Sequence, residues 1–363
     1  MNTQIKTGNR RKTVAVAVSS GIDSAYTALL LKENGFDVFP VTMKIFDNDT
    51  FDKISQKVKK IAATLRMEST IIDLQKEFRE LIIEKFCKTY LEGKTPNPCV
   101  ECNRYVKFGL LMEKARQLGA DFFATGHYAR LTINGATGEH EIKKGIDPTK
   151  DQSYVLWKLH GSRLRSILMP MGSKFKTDAK KEAYETFPYL HDSGESQDIC
   201  FLGKTSYRSF ISERPENSIS FGEIISKEAK VVNSRGQVLG HHKGFPFYTI
   251  GQRKGFGVSH AKPLYVIKII SENNTIVVGE EEELYRTEFD LEEVNFINNK
   301  PPGDKFTCNV KIRYNSPEAP AKVEMTDVSS ARIRMADPQK AVTPGQSAVF
   351  YIRDTLTGGG IIK

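Results

Sequence analysis

Val14 to Val18 is a short, unbroken apolar run, the pattern of a strand buried on both faces of a parallel sheet. A small polar loop follows, and Ala25, Leu29 and Leu30 then open a helical pattern. Val38 to Met43 reads as a second strand, after which Ile54, Val58, Ile61, Ala62 and Leu65 recur at helical spacing. Thr70 to Ile72 supplies a third strand. Helical stripes at Phe78, Leu81, Ile82 and Phe86, and at Leu110, Leu111, Ala115 and Leu118, lead to another apolar strand at Phe122 to Ala124. Strand and helix in alternation predict an α/β fold with a parallel sheet over residues 1–204.

Beyond Gly203 the pattern changes. One short helix is expected near Tyr207 to Ile211, followed by Gly-rich, basic sequence through Gly257, and residues 205–284 read as a small central domain. From residue 285 strict alternation appears, with Cys308, Val310, Ile312 and Tyr314 on one face and Thr307, Asn309, Lys311 and Arg313 on the other. With Ile333, Met335 and the run Ala348 to Ile352, this predicts a C-terminal antiparallel β-barrel over 285–363. Three units suit a chain of 363 residues, which exceeds a usual single core.

Charge and cysteine usage narrow the function. A formal charge of +9 favours a polyanionic partner, although a Lys-rich solvated surface has the same balance. No stretch approaches the roughly 20 apolar residues needed to cross a bilayer, and the basic start Asn9-Arg10-Arg11-Lys12 precedes an apolar run too short for a signal peptide. A cytoplasmic protein with no membrane partner is expected. Five cysteines, Cys87, Cys99, Cys102, Cys200 and Cys308, are too sparse and odd a set for a secreted disulfide framework. In a reducing compartment they are inert, metal-binding or catalytic.

Ser19-Ser20-Gly21-Ile22-Asp23-Ser24 lies between the first strand and the first helix. Backbone N–H groups and a helix N-terminus make an anion site there, Gly21 admits a phosphate closely, and the serine hydroxyls add donors. Asp23 would hold Mg²⁺ or orient the loop. A Ser/Asp-rich helix cap has the same composition. A Walker A loop is excluded, because the Gly-Lys-Ser/Thr ending is missing.

Thr95-Pro96-Asn97-Pro98-Cys99-Val100-Glu101-Cys102-Asn103 reads as a rigid loop opening onto a helix near Arg104. A cysteine there feels the helix dipole, with Arg104 and Lys107 close in sequence, so the thiolate of Cys102 is expected to be favoured. The alternatives are a structural zinc pair or an idle thiol, and a single C-x-x-C lacks the four ligands zinc usually takes. Cys200, in Ser196-Gln197-Asp198-Ile199-Cys200-Phe201, reads equally as a small buried hydrophobe or a catalyst. Cys87 and Cys308 fall within apolar patterns and read as core.

The loop at Ser19 to Ser24 resembles the PP-loop of ATP pyrophosphatases, Ser-Gly-Gly-x-Asp-Ser, with Ser20 in place of the first glycine. Enzymes with this loop cleave ATP between its α- and β-phosphates. Together with Pro96 to Asn103, Ala124-Thr125-Gly126-His127-Tyr128-Ala129-Arg130, Lys150-Asp151-Gln152-Ser153-Tyr154, Asp198 to Phe201, Thr249 to Gly255 and Thr343 to Tyr351, the chain closely resembles the tRNA-specific 2-thiouridylase family. These segments run in order from one end of the sequence to the other.

The resemblance implies synthesis of 2-thiouridine at the wobble position of tRNAs reading Lys, Glu and Gln codons. It implies that ATP, with Mg²⁺, is held by Ala17, Val18, Ser19, Ser20, Gly21, Ile22, Asp23, Ser24, Met43 and Gly126. The uridine C2 oxygen would be adenylated, a persulfide on Cys200 would supply sulfur, and Cys102 would attack that persulfide. A sulfur-relay protein or cysteine desulfurase would be the donor. Asn97, Pro98 and Cys99 would line the target-base pocket. His127, Lys150, Asp151, Gln152, Arg313, Tyr314 and Gln346 would contact the tRNA. Many family members carry Asp where this chain has Cys99, and Glu101 is the carboxylate near it in sequence. Cys99, Cys102 and Cys200 are also similar to the three-thiolate set with which related tRNA thiolases hold a [4Fe–4S] cluster. Persulfide and cluster routes both use Cys102 and Cys200. A PP-loop ligase or amidotransferase acting on a small molecule would share the adenylating loop but have no use for the thiols or the barrel.

Overall fold

The computed structural model describes residues 11–191, 199–203, 205–213, 222–224 and 228–363. Asn9, Arg10, and the motif residues Ser196, Gln197 and Asp198 lie outside the described residues. The strand β1 (Thr13–Ala17) sits at the centre of a parallel sheet. Its partners are β2 (Asp37–Lys44) on one side and β4 (Phe122–Ala124) on the other, with β3 (Thr70–Asp73) and β7 (Ile167–Leu168) at the edges. Val14, Ala15 and Val16 are wholly buried, as the unbroken apolar run requires. Helices α1 (Ile22–Glu33) and α2 (Asp49–Thr64) are crossovers, and the Asn48 side chain caps α2 by accepting from the Thr50 and Phe51 amides.

The later stripes form two compound helices. Gln75 to Leu91 and Pro98 to Gln117 each run α, π, α, with π-helical centres at Arg79–Glu84 and Cys102–Leu111.

The Gly-rich middle carries strands that its composition hides. The strands β8 (Lys230–Asn233), β9 (Val238–His241), β10 (Tyr265–Ile270) and β11 (Thr275–Gly279) form one sheet in the order β10-β11-β8-β9. The C-terminal alternation gives a closed antiparallel barrel of β12 (Tyr285–Phe296), β13 (Lys305–Lys311), β14 (Ala319–Asp327), β15 (Ser330–Lys340), β16 (Ser347–Ile352) and β17 (Thr355–Ile362). The pairing of β12 with β17 closes it. The expected architecture is therefore present, with two local corrections. The strand β13 ends at Lys311, so Ile312, Arg313 and Tyr314 belong to the following turn rather than to alternating faces. The hairpin β5 (Ala129–Ile133) and β6 (His140–Lys144), from the first 204 residues, extends the barrel sheet through pairing of β6 with β17. Among the described residues no helix is long and apolar enough to cross a membrane.

The barrel grips the cysteine segment directly. Thr95 donates its amide to the Pro344 carbonyl at 2.8 Å. The Gln346 side-chain amide donates to the carbonyls of Thr95 at 3.0 Å and Pro96 at 3.1 Å. Gly345 has φ +88°, and a Cβ there would lie 2.8 Å from the Thr95 carbonyl oxygen. Only glycine fits that turn and that approach. Gly345→Ala is expected to cost about 1–3 kcal/mol, seen as a lowered calorimetric unfolding temperature.

Candidate active site

The loop Ser19–Ser24 leaves the carboxyl end of β1, where the chain order of the sheet reverses between β2 and β4. That switch point is where open α/β sheets bind ligands. Met43, near the carboxyl end of β2, and Gly126, just past β4, flank the loop. A Cβ on Gly126 would stand 3.1 Å from the Asp23 carbonyl carbon, so the two segments touch. The structure thus brings Ala17, Val18, Ser19, Ser20, Gly21, Ile22, Asp23, Ser24, Met43 and Gly126 to one end of the sheet.

The loop is knit by its own hydroxyls. The Ser24 hydroxyl accepts the Ser19 amide at 3.0 Å and lies 2.9 Å from the Gly21 carbonyl. The Ser19 hydroxyl accepts the Gly21 amide at 3.2 Å. Ser20 is not among the residues of positive φ, so the serine replacing the pattern's first glycine carries no left-handed strain. Gly21 itself has φ −91°, open to any residue. A Cβ on it would meet only the Ser19 hydroxyl, at 3.4 Å, so space above the loop, not backbone conformation, is what glycine supplies.

Two residues that sequence reasoning missed complete this loop. Asp23 Oδ1 accepts the Tyr128 hydroxyl at 2.8 Å and pairs with the Lys176 ammonium at 2.5 Å. Lys176 is 6 % exposed and opens the helix Lys176–Thr186, over 150 residues from the loop in sequence. As one lysine among several between Lys174 and Lys181, it gave no signal in the chain. Tyr128 is in turn held by Gln152, whose side chain accepts the Tyr128 amide at 3.1 Å and whose own amide donates to the Tyr128 carbonyl at 2.9 Å.

The segment Lys150–Tyr154 is therefore a bracket. Asp151 Oδ1 accepts the amides of Gly145 and Ser153, and Oδ2 accepts the Ser153 hydroxyl at 2.8 Å. Lys150 donates its amide to the Asp147 carbonyl. Arg313 likewise spends one guanidinium nitrogen on the Ala341 carbonyl at 2.6 Å and the Thr343 hydroxyl at 2.5 Å. Tyr314 is 39 % exposed and stands edge-on to Tyr154, with the Lys311 ammonium 5.7 Å from its ring centre. His127 is buried, pairs with the Thr125 hydroxyl at 2.8 Å and rests against the Phe108 ring. Burial, aided by the Lys107 charge, pulls its pKa well below the usual value, so it is neutral.

All five cysteines are free thiols. Cys102 is 7 % exposed, whereas solvent reaches Cys99 and Cys200. Dense protein still surrounds the two open thiols, and burial raises the pKa of both. Burial pushes the Cys102 thiol up to about 12. The expectation of a favoured thiolate is thus overturned. The helix begins at Pro98, not near Arg104, so Cys102 lies within it rather than at its positive end. Lys107 opposes the rise at all three sulfurs, and the Cys200 and Cys99 charges act on Cys102. Asn97 bonds to the Tyr154 hydroxyl, and Tyr314 feels the Cys99 charge, so this wall of the barrel faces the thiols. Pro98 is buried at the first turn of the helix. Cys200 also borders a cavity of about 900 Å³ lined by Ile45, Phe46, Gln75, Arg79, Ile83 and Phe210.

Among the described residues no three His, Cys, Asp or Glu side chains converge to hold a metal ion. Cys99, Cys102 and Cys200 as arranged do not form a cluster's ligand set.

An ion quartet centred on a buried lysine includes Glu101, from the cysteine segment. The Lys158 ammonium, 1 % exposed, sits 2.5 Å from Glu101 Oε1 and 2.6 Å from Glu293 Oε2. Lys85 stands 3.2 Å from the other Glu101 oxygen and 3.9 Å from Glu293 Oε1. Glu101 thus turns away from the cysteines on either side of it and is unsuited to replace a carboxylate at position 99. Lys158→Met leaves the nearly enclosed Glu101 carboxylate with Lys85 as its remaining counter-charge and is expected to cost about 1–3 kcal/mol, measured by urea unfolding.

The family described as tRNA methyl transferase HUP domain matches residues 12–204. The tRNA methyl transferase PRC-barrel domain matches 217–280, and the aminomethyltransferase β-barrel domain matches 286–362. The tRNA-specific 2-thiouridylase MnmA of Desulforudis audaxviator is 41 % identical over 352 residues, covering 97 % of this chain and 98 % of that one. The chain belongs to the tRNA-specific 2-thiouridylase family. Its counterpart in Clostridioides difficile, also named tRNA-specific 2-thiouridylase MnmA, is 36 % identical over 361 residues, with 97 % and 98 % covered. Among solved structures, the U34-tRNA thiolase NcsA of Methanococcus maripaludis, with its [4Fe–4S] cluster, is 18 % identical. It covers 58 % of this 2-thiouridylase and 69 % of its own chain at a TM-score of 0.34. So slight a likeness transfers neither ligand nor mechanism.

Proposed function

We propose that this protein is a tRNA-uridine sulfurtransferase which adenylates the C2 oxygen of the wobble uridine, residue 34, and replaces it with sulfur carried on Cys200. Full-length relatedness to 2-thiouridylases supports tRNA thiouridine synthesis. ATP lies along Ser19–Ser24 with its phosphates over Gly21. Asp23 Oδ2, which carries no hydrogen bond among the described residues, is the oxygen left to meet Mg²⁺ brought with the nucleotide. The C2 oxygen attacks the α-phosphate and pyrophosphate leaves, turning a poor leaving group into AMP.

The Cys102 thiolate then attacks the inner sulfur of the Cys200 persulfide, forming a Cys102–Cys200 disulfide and releasing hydrosulfide. Hydrosulfide displaces AMP from C2, and an external dithiol reduces the disulfide by two electrons. A persulfide-bearing protein, of the sulfur-relay or cysteine desulfurase kind, reloads Cys200. Asn97, Pro98 and Cys99 line the base, which an anticodon loop already presents unpaired. Tyr314 and Lys311 offer an exposed ring and a cation to the neighbouring nucleotide. Lys, Glu and Gln tRNAs are the proposed substrates. No step passes through a metal cluster.

The observation that carries this reading is the nearness of Cys200 to the buried Cys102, close enough for the charge of one to act on the thiol of the other. A small-molecule ligase would need neither thiol. Anaerobic incubation with unmodified tRNA, MgATP and a persulfide donor, followed by nucleoside mass spectrometry, tests it. The expected product is 2-thiouridine without bound iron. Formation only with iron would replace the persulfide route, and AMP without any thiolated base would remove the substrate assignment.

A further inference from the structure

Cys102 and Lys107 stand at the two ends of one i→i+5 turn, because the chain is π-helical from Cys102 to Leu111. In an α-helix five residues turn through about 500°, leaving the two side chains roughly 140° apart. The wider π turn returns residue i+5 to a place above residue i. The flanking segments Pro98–Glu101 and Met112–Gln117 are α-helical, so the widening is confined to the part that begins at the cysteine. Such turns are rare and concentrate at functional sites. Gly109 accommodates it, for a Cβ there would lie 3.0 Å from the Arg104 carbonyl oxygen.

Lys107 is half-buried, and among the described residues no carboxylate pairs with it. Arg104, the other cation of this turn, is directed elsewhere: its guanidinium lies 5.1 Å from the Tyr105 ring centre and acts on Glu293. Grouped around Lys107 are the thiols of Cys99, Cys102 and Cys200 and the neutral imidazole of His127, each of which feels its charge. Among the described residues it is the cation common to all three sulfurs. Sulfur transfer creates two anions in succession here, a thiolate and a hydrosulfide, in a place where burial disfavours both.

We propose that the π-helical register carries the Lys107 ammonium to the thiols, and that Lys107 is the positioning charge that holds the Cys102 thiolate and the hydrosulfide released from Cys200. The proposal rests on Cys102 and Cys200 performing the sulfur chemistry.

The test uses the full-length protein and compares the parent with Lys107→Met and Lys107→Arg. Alkylation of Cys102 by iodoacetamide is followed against pH, with Cys99 resolved by fragment mass spectrometry, alongside steady-state thiolation of tRNA. Lys107→Met is expected to slow Cys102 alkylation at pH 8 about tenfold, the effect of one pKa unit, and to move the rate–pH curve upward. Lys107→Arg is expected to restore most of the rate. In thiolation kcat is expected to fall in Lys107→Met while KM for tRNA and ATP holds. Should Lys107→Met fail to fold, Lys107→Gln carries the same comparison. An unchanged rate–pH curve in the neutral variant overturns the proposal. Failure of the underlying reading looks different: the curve shifts, yet Cys102→Ser still thiolates tRNA.

Discussion

Cys200→Ser is expected to stop thiolation altogether, by at least about a thousandfold, while AMP and pyrophosphate continue to form at close to the parent rate. A serine hydroxyl cannot carry sulfane sulfur, so no persulfide is loaded. The adenylating loop lies at the end of the parallel sheet and exchanges no hydrogen bond with Cys200, so its chemistry is left standing. Cys200 is exposed and borders an open cavity, so the exchange of sulfur for oxygen disturbs little packing and the protein should fold as before. Nucleoside mass spectrometry with pyrophosphate release on the same sample decides the outcome. Retained 2-thiouridine would show that the sulfur travels by another thiol.

Asp23→Ala is expected to have the converse signature. Removing the carboxylate takes from Lys176 and Tyr128 the partner they share. Taking a carboxylate away from a buried ammonium is costly, about 3–5 kcal/mol for a fully enclosed pair. Asp23, about a third exposed (35 %), puts this case at the low end. The loop loses the anchor that aims it, and loss of one such fixed electrostatic contact commonly lowers a rate by about 10²–10³. Pyrophosphate release should fall by that factor, with tRNA affinity, read by filter binding, largely intact. Adenylation at the parent rate would remove the loop from the reaction.

Much of this was legible in the chain, and for physical reasons. A strand covered on both faces must be apolar throughout, so β1 and its loop declare themselves. A half-covered barrel strand must alternate, so β13 does too. The hairpin of β5 and β6 was not legible because its partner, β17, lies over 200 residues away and pattern alone does not pair distant strands. The middle sheet hid behind glycine and lysine. At the site, sequence proximity suggested that Arg104 and Lys107 act alike on Cys102, but facing depends on helical register, and a 3.6-residue period cannot announce a π turn. Burial of Cys102 and the arrival of Lys176 beside Asp23 are matters of packing, to which local spacing is blind.

The hold of residues 344–346 on Thr95 and Pro96 bears on how such a protein can be taken apart or recombined. A barrel that only gripped RNA would be a detachable module, exchangeable for another of similar charge. Here the turn that leads into β16 also serves as scaffolding for the segment that bears two cysteines, through hydrogen bonds to that segment's backbone that no surface match would reproduce. The cysteine-bearing segment and the last twenty residues therefore form one unit of inheritance, and a chimera joined ahead of the barrel separates that segment from its own foundation.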